Sequence, residues 1–152
     1  MERIRVNNFA DIESVFIERA HSVVWCNVAT IDNKNRPRSR ILHPIWEGAT
    51  GWILTGRNTL KAKHLAHNSF VSLAYTADLA KPVYVDCTAT WIDDIDSKQR
   101  IWDMIASAPE PLGYDPTPFF QAVDSPNLGL LQLTPWQIEV ADFPTTSTVW
   151  RK

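Results

Sequence analysis

Hydrophobic spacing along the chain switches between two periods, and the switches mark its elements. After Asn7 and Asn8, apolar residues at Phe9, Ile12, Val15, Phe16 and Ala20 recur at helical intervals. The spacing predicts a helix capped by Asn8, with Asp11 and Glu13 in its first turn. A strand from Val23 to Ile31, the turn Asp32-Asn33-Lys34-Asn35, a strand from Arg38 to Ile45, a break over Glu47–Gly51 and a strand from Trp52 to Thr55 then read as an antiparallel meander. Leu60 to His67 reads as a short helix capped by Asn58 or Thr59, and Phe70 to Thr76 as strand. Alternation is strictest from Val83 to Ile92. Val83, Val85, Cys87, Ala89 and Trp91 face one way, and Tyr84, Asp86, Thr88 and Thr90 the other. Asp96 is the expected cap of a helix running through Ser107. Ala108 to Pro118 holds four of the ten prolines and reads as a structured loop or lid. A brief helix over Phe119–Val123 and strands Leu128–Leu133 and Trp136–Val140 follow, the last two parted by Pro135. Six or seven strands with two or three helices predict a mainly β, α+β chain: a small antiparallel barrel with peripheral helices.

Composition narrows the class. At 152 residues the chain fits a single domain spanning positions 1–152. With 45% hydrophobic and 21% charged residues and 5 glycines it is neither disordered nor collagen-like. No apolar run approaches the ~18 residues of a membrane span. The start, Met-Glu-Arg-Ile-Arg-Val, lacks a hydrophobic signal region, so a cytoplasmic location and no membrane partner are expected. Cys26 and Cys87, the only two cysteines, form neither a zinc knuckle nor a disulfide framework.

Charge is uneven. Between Lys34 and His67 seven cations face one acid, Glu47, a net +6; the remainder carries eight cations against sixteen acids, −8. That asymmetry points to a local anionic ligand and away from nucleic acid. Two stretches could bind it. In Trp52-Ile-Leu-Thr-Gly-Arg-Asn-Thr-Leu-Lys-Ala-Lys63 a strand leads into a helix start, whose free amides and partial positive charge suit a phosphate. Thr55, Thr59, Arg57 and Lys61 add donors and charge, although an ordinary capped helix with a basic face has the same pattern. On the preceding strand, Arg38 and Arg40 at i and i+2 point to one face, and the planar guanidinium fork suits phosphate.

Taken in order, Pro37-Arg-Ser-Arg-Ile41, Trp52-Ile-Leu-Thr55, Thr59-Leu-Lys-Ala-Lys-His-Leu65, Phe70-Val-Ser-Leu73 and Leu133-Thr-Pro-Trp-Gln-Ile-Glu-Val140 resemble the pyridoxamine 5′-phosphate oxidase-like family of FMN-binding split barrels. The resemblance covers roughly residues 8 to 140. It implies FMN held in a groove between two subunits of a homodimer. Arg40 and Lys61 match the residues that hold the phosphate, Ile41 and Leu42 those whose backbone lies near the ring, Leu54 and Thr55 the pair ending the third strand, and Thr59 a serine in the following loop. Leu60 stands where the family's oxidases often carry arginine; Arg57 or Arg38 is the candidate replacement. The ending Thr145-Thr-Ser-Thr-Val-Trp-Arg-Lys152 lacks the arginine- and histidine-rich stretch of authentic pyridoxamine phosphate oxidases, so vitamin B6 oxidation is not expected. The resemblance instead implies a flavin-dependent oxidoreductase with a small-molecule substrate. A deazaflavin-dependent reductase, or a flavin, deazaflavin or haem carrier or sensor without turnover, is the alternative.

Flavin chemistry asks little of side chains. His43 is the candidate proton donor near the ring, against the alternative of a strand-surface histidine. Among the tryptophans, Trp136 is the candidate cover for a flavin, with Trp46 and Tyr114 also near loops; Trp25, Trp91 and Trp102 read as core. His64 and His67 share a helical face without a third ligand and read as a solvent-facing pair, and Asp93, Asp94 and Asp96 as capping residues, so no metal is expected.

Overall fold

A computed structural model describes all of residues 1–152. It contains nine strands and four helices: β1 (Glu2–Val6), α1 (Ala10–Val23), β2 (Cys26–Ile31), β3 (Pro37–Leu42), β4 (Ile45–Glu47), β5 (Thr50–Gly56), α2 (Leu60–His67), β6 (Phe70–Tyr75), β7 (Val83–Ile92), α3 (Ile95–Ser107), α4 (Thr117–Phe120), β8 (Leu128–Asp142) and β9 (Thr146–Arg151). The strands form one sheet in the order β1-β9-β8-β7-β6-β2-β3, with β5 paired to the other half of β8 and β4 to β5. The sheet is mixed and does not close, and the fold is α+β with 42% strand.

Nine strands form where six or seven were expected: β1, β4 and β9 are additional, and the sheet is not wholly antiparallel. β1 runs parallel to β9, Glu2 opposite Thr146 through Val6 opposite Trp150. β1 is exposed and is stabilised by that pairing, whereas β9 also buries Ser147, Val149 and Trp150. The strands expected at Leu128–Leu133 and Trp136–Val140 are one, β8. Pro135 is accommodated by a bulge: Asp86 pairs with Gln137 and Cys87 with Pro135, so Trp136 is the extra residue. Burial shifts phase there. Leu133 and Pro135 point inward before it, Ile138 and Val140 after it, and Trp136 and Gln137 both face away from the core.

Caps also differ. Phe9 is the residue before α1 and Asn8 supplies no side-chain cap. α3 is capped by Asp94, two residues before Asp96, its carboxylate accepting the Ser97 N–H at 2.8 Å. α1 runs on to Val23, so β2 starts at Cys26, and β3 stops at Leu42 because Pro44 has no N–H to continue the ladder.

The main core lies between α1 and the sheet: Phe16, Leu73, Val85, Cys87 and Ile138 are all inaccessible to solvent. Each such side chain is worth roughly 1.5–3 kcal/mol of burial. A second cluster forms under α3, where Ile101 and Ile105, four apart, meet Ile45, Trp52, Leu54, Leu128 and Leu130. Tryptophan polar ends are tied down: Trp46 Nε1 donates to Tyr75 Oη at 2.9 Å and Trp52 Nε1 to Glu47 Oε1 at 2.7 Å. Gly51 is required by this packing, since a Cβ there would lie 2.6 Å from the Trp46 ring.

Candidate functional site

The β2–β3 hairpin and the start of α2 converge on one face. Asp32 fixes the hairpin, its carboxylate accepting the Lys34 and Arg36 amides and Arg36 Nε, each at 2.9 Å. Pairing sets Arg40 opposite Val28, and its guanidinium folds across β2, donating to the Val28 carbonyl at 3.1 Å and to Thr30 Oγ1 at 2.8 Å. Thr30 is buried and lies 2.9 Å from His64 Nδ1 on α2. Since its oxygen accepts from Arg40, its single proton is free for His64. Burial, then the Arg40 charge, lowers the His64 pKa and favours that neutral ring.

Lys61 completes the arrangement. It is 8% exposed, and Nζ donates to Thr59 Oγ1 at 3.0 Å. Thr59 precedes α2 as its N-cap, but its hydroxyl donates to the Gly56 carbonyl at 3.1 Å and makes no cap to the helix amides. Burial lowers the Lys61 pKa, and the neighbouring Arg40 charge adds to it; burial lowers that of Arg40. Six ion pairs form in the molecule, and none includes Arg40 or Lys61. Two mutually repelling, partly desolvated cations without a carboxylate are arranged for an anion from outside.

The other cations are engaged elsewhere. Arg57 Nε donates to Asp93 at 3.1 Å and its guanidinium stacks 4.5 Å above the Trp91 ring. Arg38 lies 3.9 Å from Asp32, which it shares with Arg36. The Arg38 charge is nonetheless felt at Arg40, where it adds to the lowering by burial. Leu60 is exposed, and a cavity of about 460 Å3 beside it is lined by Arg57, Thr59 and Lys63 but not by Lys61.

Ile41, Leu42, His43 and Leu54 come together in the wall of a second, apolar cavity of about 280 Å3. Thr55, next to Leu54, is buried within β5. His43 is not a strand-surface residue. It is 8% exposed, and its Nε2 has no hydrogen-bond partner. Burial lowers its pKa, a backbone contact from Leu112 opposes this, and His21 adds to the lowering. Trp25 also departs from expectation: it is 58% exposed and packs 5.0 Å from the His43 ring. Tyr114 meets His43 from the proline-rich segment, at 4.8 Å. Trp46 is core, and Trp136 lies on the far side of the β-order, on β8, outside this group.

Thr30 was not singled out from sequence, and His64, read there as half of a solvent-facing pair, is buried. The histidine pair His64/His67 is split by the fold, His64 buried against Thr30 and His67 reaching Asn35 at 3.1 Å. For Thr30 the available signal was an inward strand position two residues from Val28, which pairs with Arg40.

Comparisons with known proteins bear on the family and the fold. A family model described as pyridoxamine 5′-phosphate oxidase matches residues 16–141. No curated protein matches the chain by sequence. Among solved structures, the fold is similar to a Clostridium acetobutylicum protein related to general stress protein 26 of B. subtilis, of the pyridoxinephosphate oxidase family (TM-score 0.74, 15% identity, 93% of this chain and 94% of that one). It is also similar to a pyridoxamine 5′-phosphate oxidase-related, FMN-binding protein from Nostoc punctiforme (0.62, 16%, 85% and 82%). A haem-binding protein from Mycobacterium smegmatis shares the fold as well (0.65, 13%, 88% and 55%). With the family model spanning most of its length, the chain belongs to the pyridoxamine 5′-phosphate oxidase family.

Proposed function

We propose that the protein is an FMN-dependent oxidoreductase acting on a small molecule, with the FMN phosphate taken up by Arg40 and Lys61. One observation carries this reading: two adjacent, partly buried cations that no carboxylate of the chain neutralises. A phosphate ester restores their charge balance, and charge-assisted hydrogen bonds of this kind are about twice as strong as neutral ones. The similarity to an FMN-binding relative supports it. When bound, flavin supplies hydride-transfer chemistry. The chain's own residues do the rest. Thr30 and the Val28 carbonyl orient Arg40, Thr59 orients Lys61, and Ile41, Leu42 and Leu54 offer an apolar wall that excludes water.

A homodimer belongs to the same reading. The register aligns Ile41, Asn27, Ala74 and Tyr84 across one outer face of the sheet. Ile41 and Tyr84 are exposed there, and Trp136 and Gln137 face away from the core on β8. A second copy covering this face would bring its own Trp136 within reach of the ligand.

Haem is the second reading, favoured by the unpartnered His43 Nε2 and the M. smegmatis relative. The cavity beside His43, about 280 Å3, falls below the usual ~300–1,000 Å3 of ligand pockets and disfavours a macrocycle. A native mass spectrum of gently purified protein tests both: the flavin reading expects a dimer carrying two FMN and a flavin band bleached by reduced nicotinamide. A deazaflavin mass, or a Soret band with no flavin, would replace it.

A further inference from the structure

Phosphate recognition leaves the aromatic side of the apolar cavity, away from Ile41, Leu42 and Leu54, without a role. His43 forms part of its wall, with Trp25 and Tyr114 packed against the imidazole. Beyond them Phe119 meets Tyr114 edge-on, at 5.9 Å and 89°. A buried ring nitrogen without a partner is costly, so its retention here calls for a compensating role.

The backbone around the cavity is strained too. Val24 has φ 68° and ψ −60°, and Trp25 N–H closes onto the Val23 carbonyl at 2.8 Å. Gln121 has φ 70° and ψ −54°, and Ala122 N–H closes onto the Phe120 carbonyl at 2.8 Å. Both are γ-turns of the rare positive-φ form, and a β-branched residue such as Val24 is an outlier there. One turn sets Trp25 beside His43; the other directly follows Phe119 and Phe120, which line the same cavity. Strain of this kind concentrates at ligand clamps.

We propose that this cavity is a subsite for a small, planar, uncharged aromatic substrate that donates an N–H or O–H hydrogen bond to His43 Nε2. Its walls are aromatic and aliphatic, with no Lys, Arg, Asp or Glu among them. The volume, about 280 Å3, suits one or two fused rings. Burial favours the neutral imidazole, and Nε2 is the ring nitrogen left without a partner in the chain. In the neutral tautomer that carries its proton on Nδ1, Nε2 accepts. It is sealed from water, with Trp25 and Tyr114 packed on the ring, so a ligand reaches it only as the surrounding side chains give way. That such a molecule is a substrate rests on the flavoenzyme reading; that it binds rests on the cavity alone.

Calorimetric titration with indole and with benzofuran, which has the same shape but no donor, tests this on both FMN-loaded and FMN-free protein. Indole is expected to saturate and to bind the wild type about 2–10-fold more tightly than benzofuran, the range of one neutral hydrogen bond. His43→Phe is expected to abolish the difference, and His43→Gln, which keeps an acceptor, to retain part of it. Absence of saturable indole binding, equal affinities in the wild type, or displacement of indole by FMN would each overturn the proposal. The wild-type comparison stands even if the variants fail to fold. Protein that binds indole but never FMN keeps the subsite and removes the flavoenzyme reading; protein that binds FMN but not indole does the reverse.

Discussion

Arg40 is held in place by Thr30, and Thr30 by His64, so the geometry of one guanidinium depends on a hydroxyl inside the hairpin. Thr30→Val keeps the shape but leaves Arg40 with the Val28 carbonyl alone and His64 Nδ1 unpaired. Stripping partners from buried polar groups costs about 1–3 kcal/mol. The variant should lose stability on that scale in urea unfolding and also bind FMN more weakly. Unchanged FMN affinity in the folded variant would show that Thr30 does not position Arg40. The cations themselves were legible from residue type and spacing. Their partners were not, because the cross-strand register that joins Arg40 to Thr30, and the burial that turns His64 inward, are tertiary facts. For the same reason Arg57 and Arg38 were equal to Arg40 on paper, until Asp93 and Asp32 were found beside them.

Asp32 governs the β2–β3 hairpin that carries Arg40. Its hydrogen bonds from the Arg36 and Lys34 backbone and from Arg36 Nε hold its pKa down at about 2, from an ordinary value near 3.8. Because the folded-state pKa is the lower one, its stabilisation is complete above the ordinary value and is lost as the pH falls from about 4 to about 2. Wild type and Asp32→Asn should therefore differ in unfolding midpoint at pH 7 and converge towards pH 2. A gap that stays constant with pH would contradict the assignment. Among the elements, the turn at Asp32, the helix α2 and the β7 alternation were readable from local chemistry. β1 was not, since a short, charged strand is stabilised chiefly by its neighbour, and β9 was not, since its threonines and serine hide the burial of Ser147, Val149 and Trp150. The unity of β8 was hidden by Pro135, whose bulge moves Trp136 to the outer face.

For the molecule as a whole, the open sheet leaves apolar residues such as Ile41 and Tyr84 uncovered on the face that also carries Trp136. If a second copy covers that face, Tyr84→Glu should shift the protein to a monomer in size-exclusion chromatography with light scattering. FMN affinity should fall with it, because a groove between the copies would be lost. A Tyr84→Glu protein that remains dimeric would place the interface elsewhere.

The phosphate cradle is tested most directly by comparing FMN with riboflavin, which lacks the phosphate, through quenching of flavin fluorescence. In the wild type FMN should bind at least about tenfold more tightly, since one hydrogen bond to a charged group is worth about 1.5–3 kcal/mol. Arg40→Ala and Lys61→Ala should each erase much of that margin while leaving riboflavin affinity nearly unchanged. Equal affinity of the wild type for the two flavins, or a margin that survives both substitutions, would contradict the account.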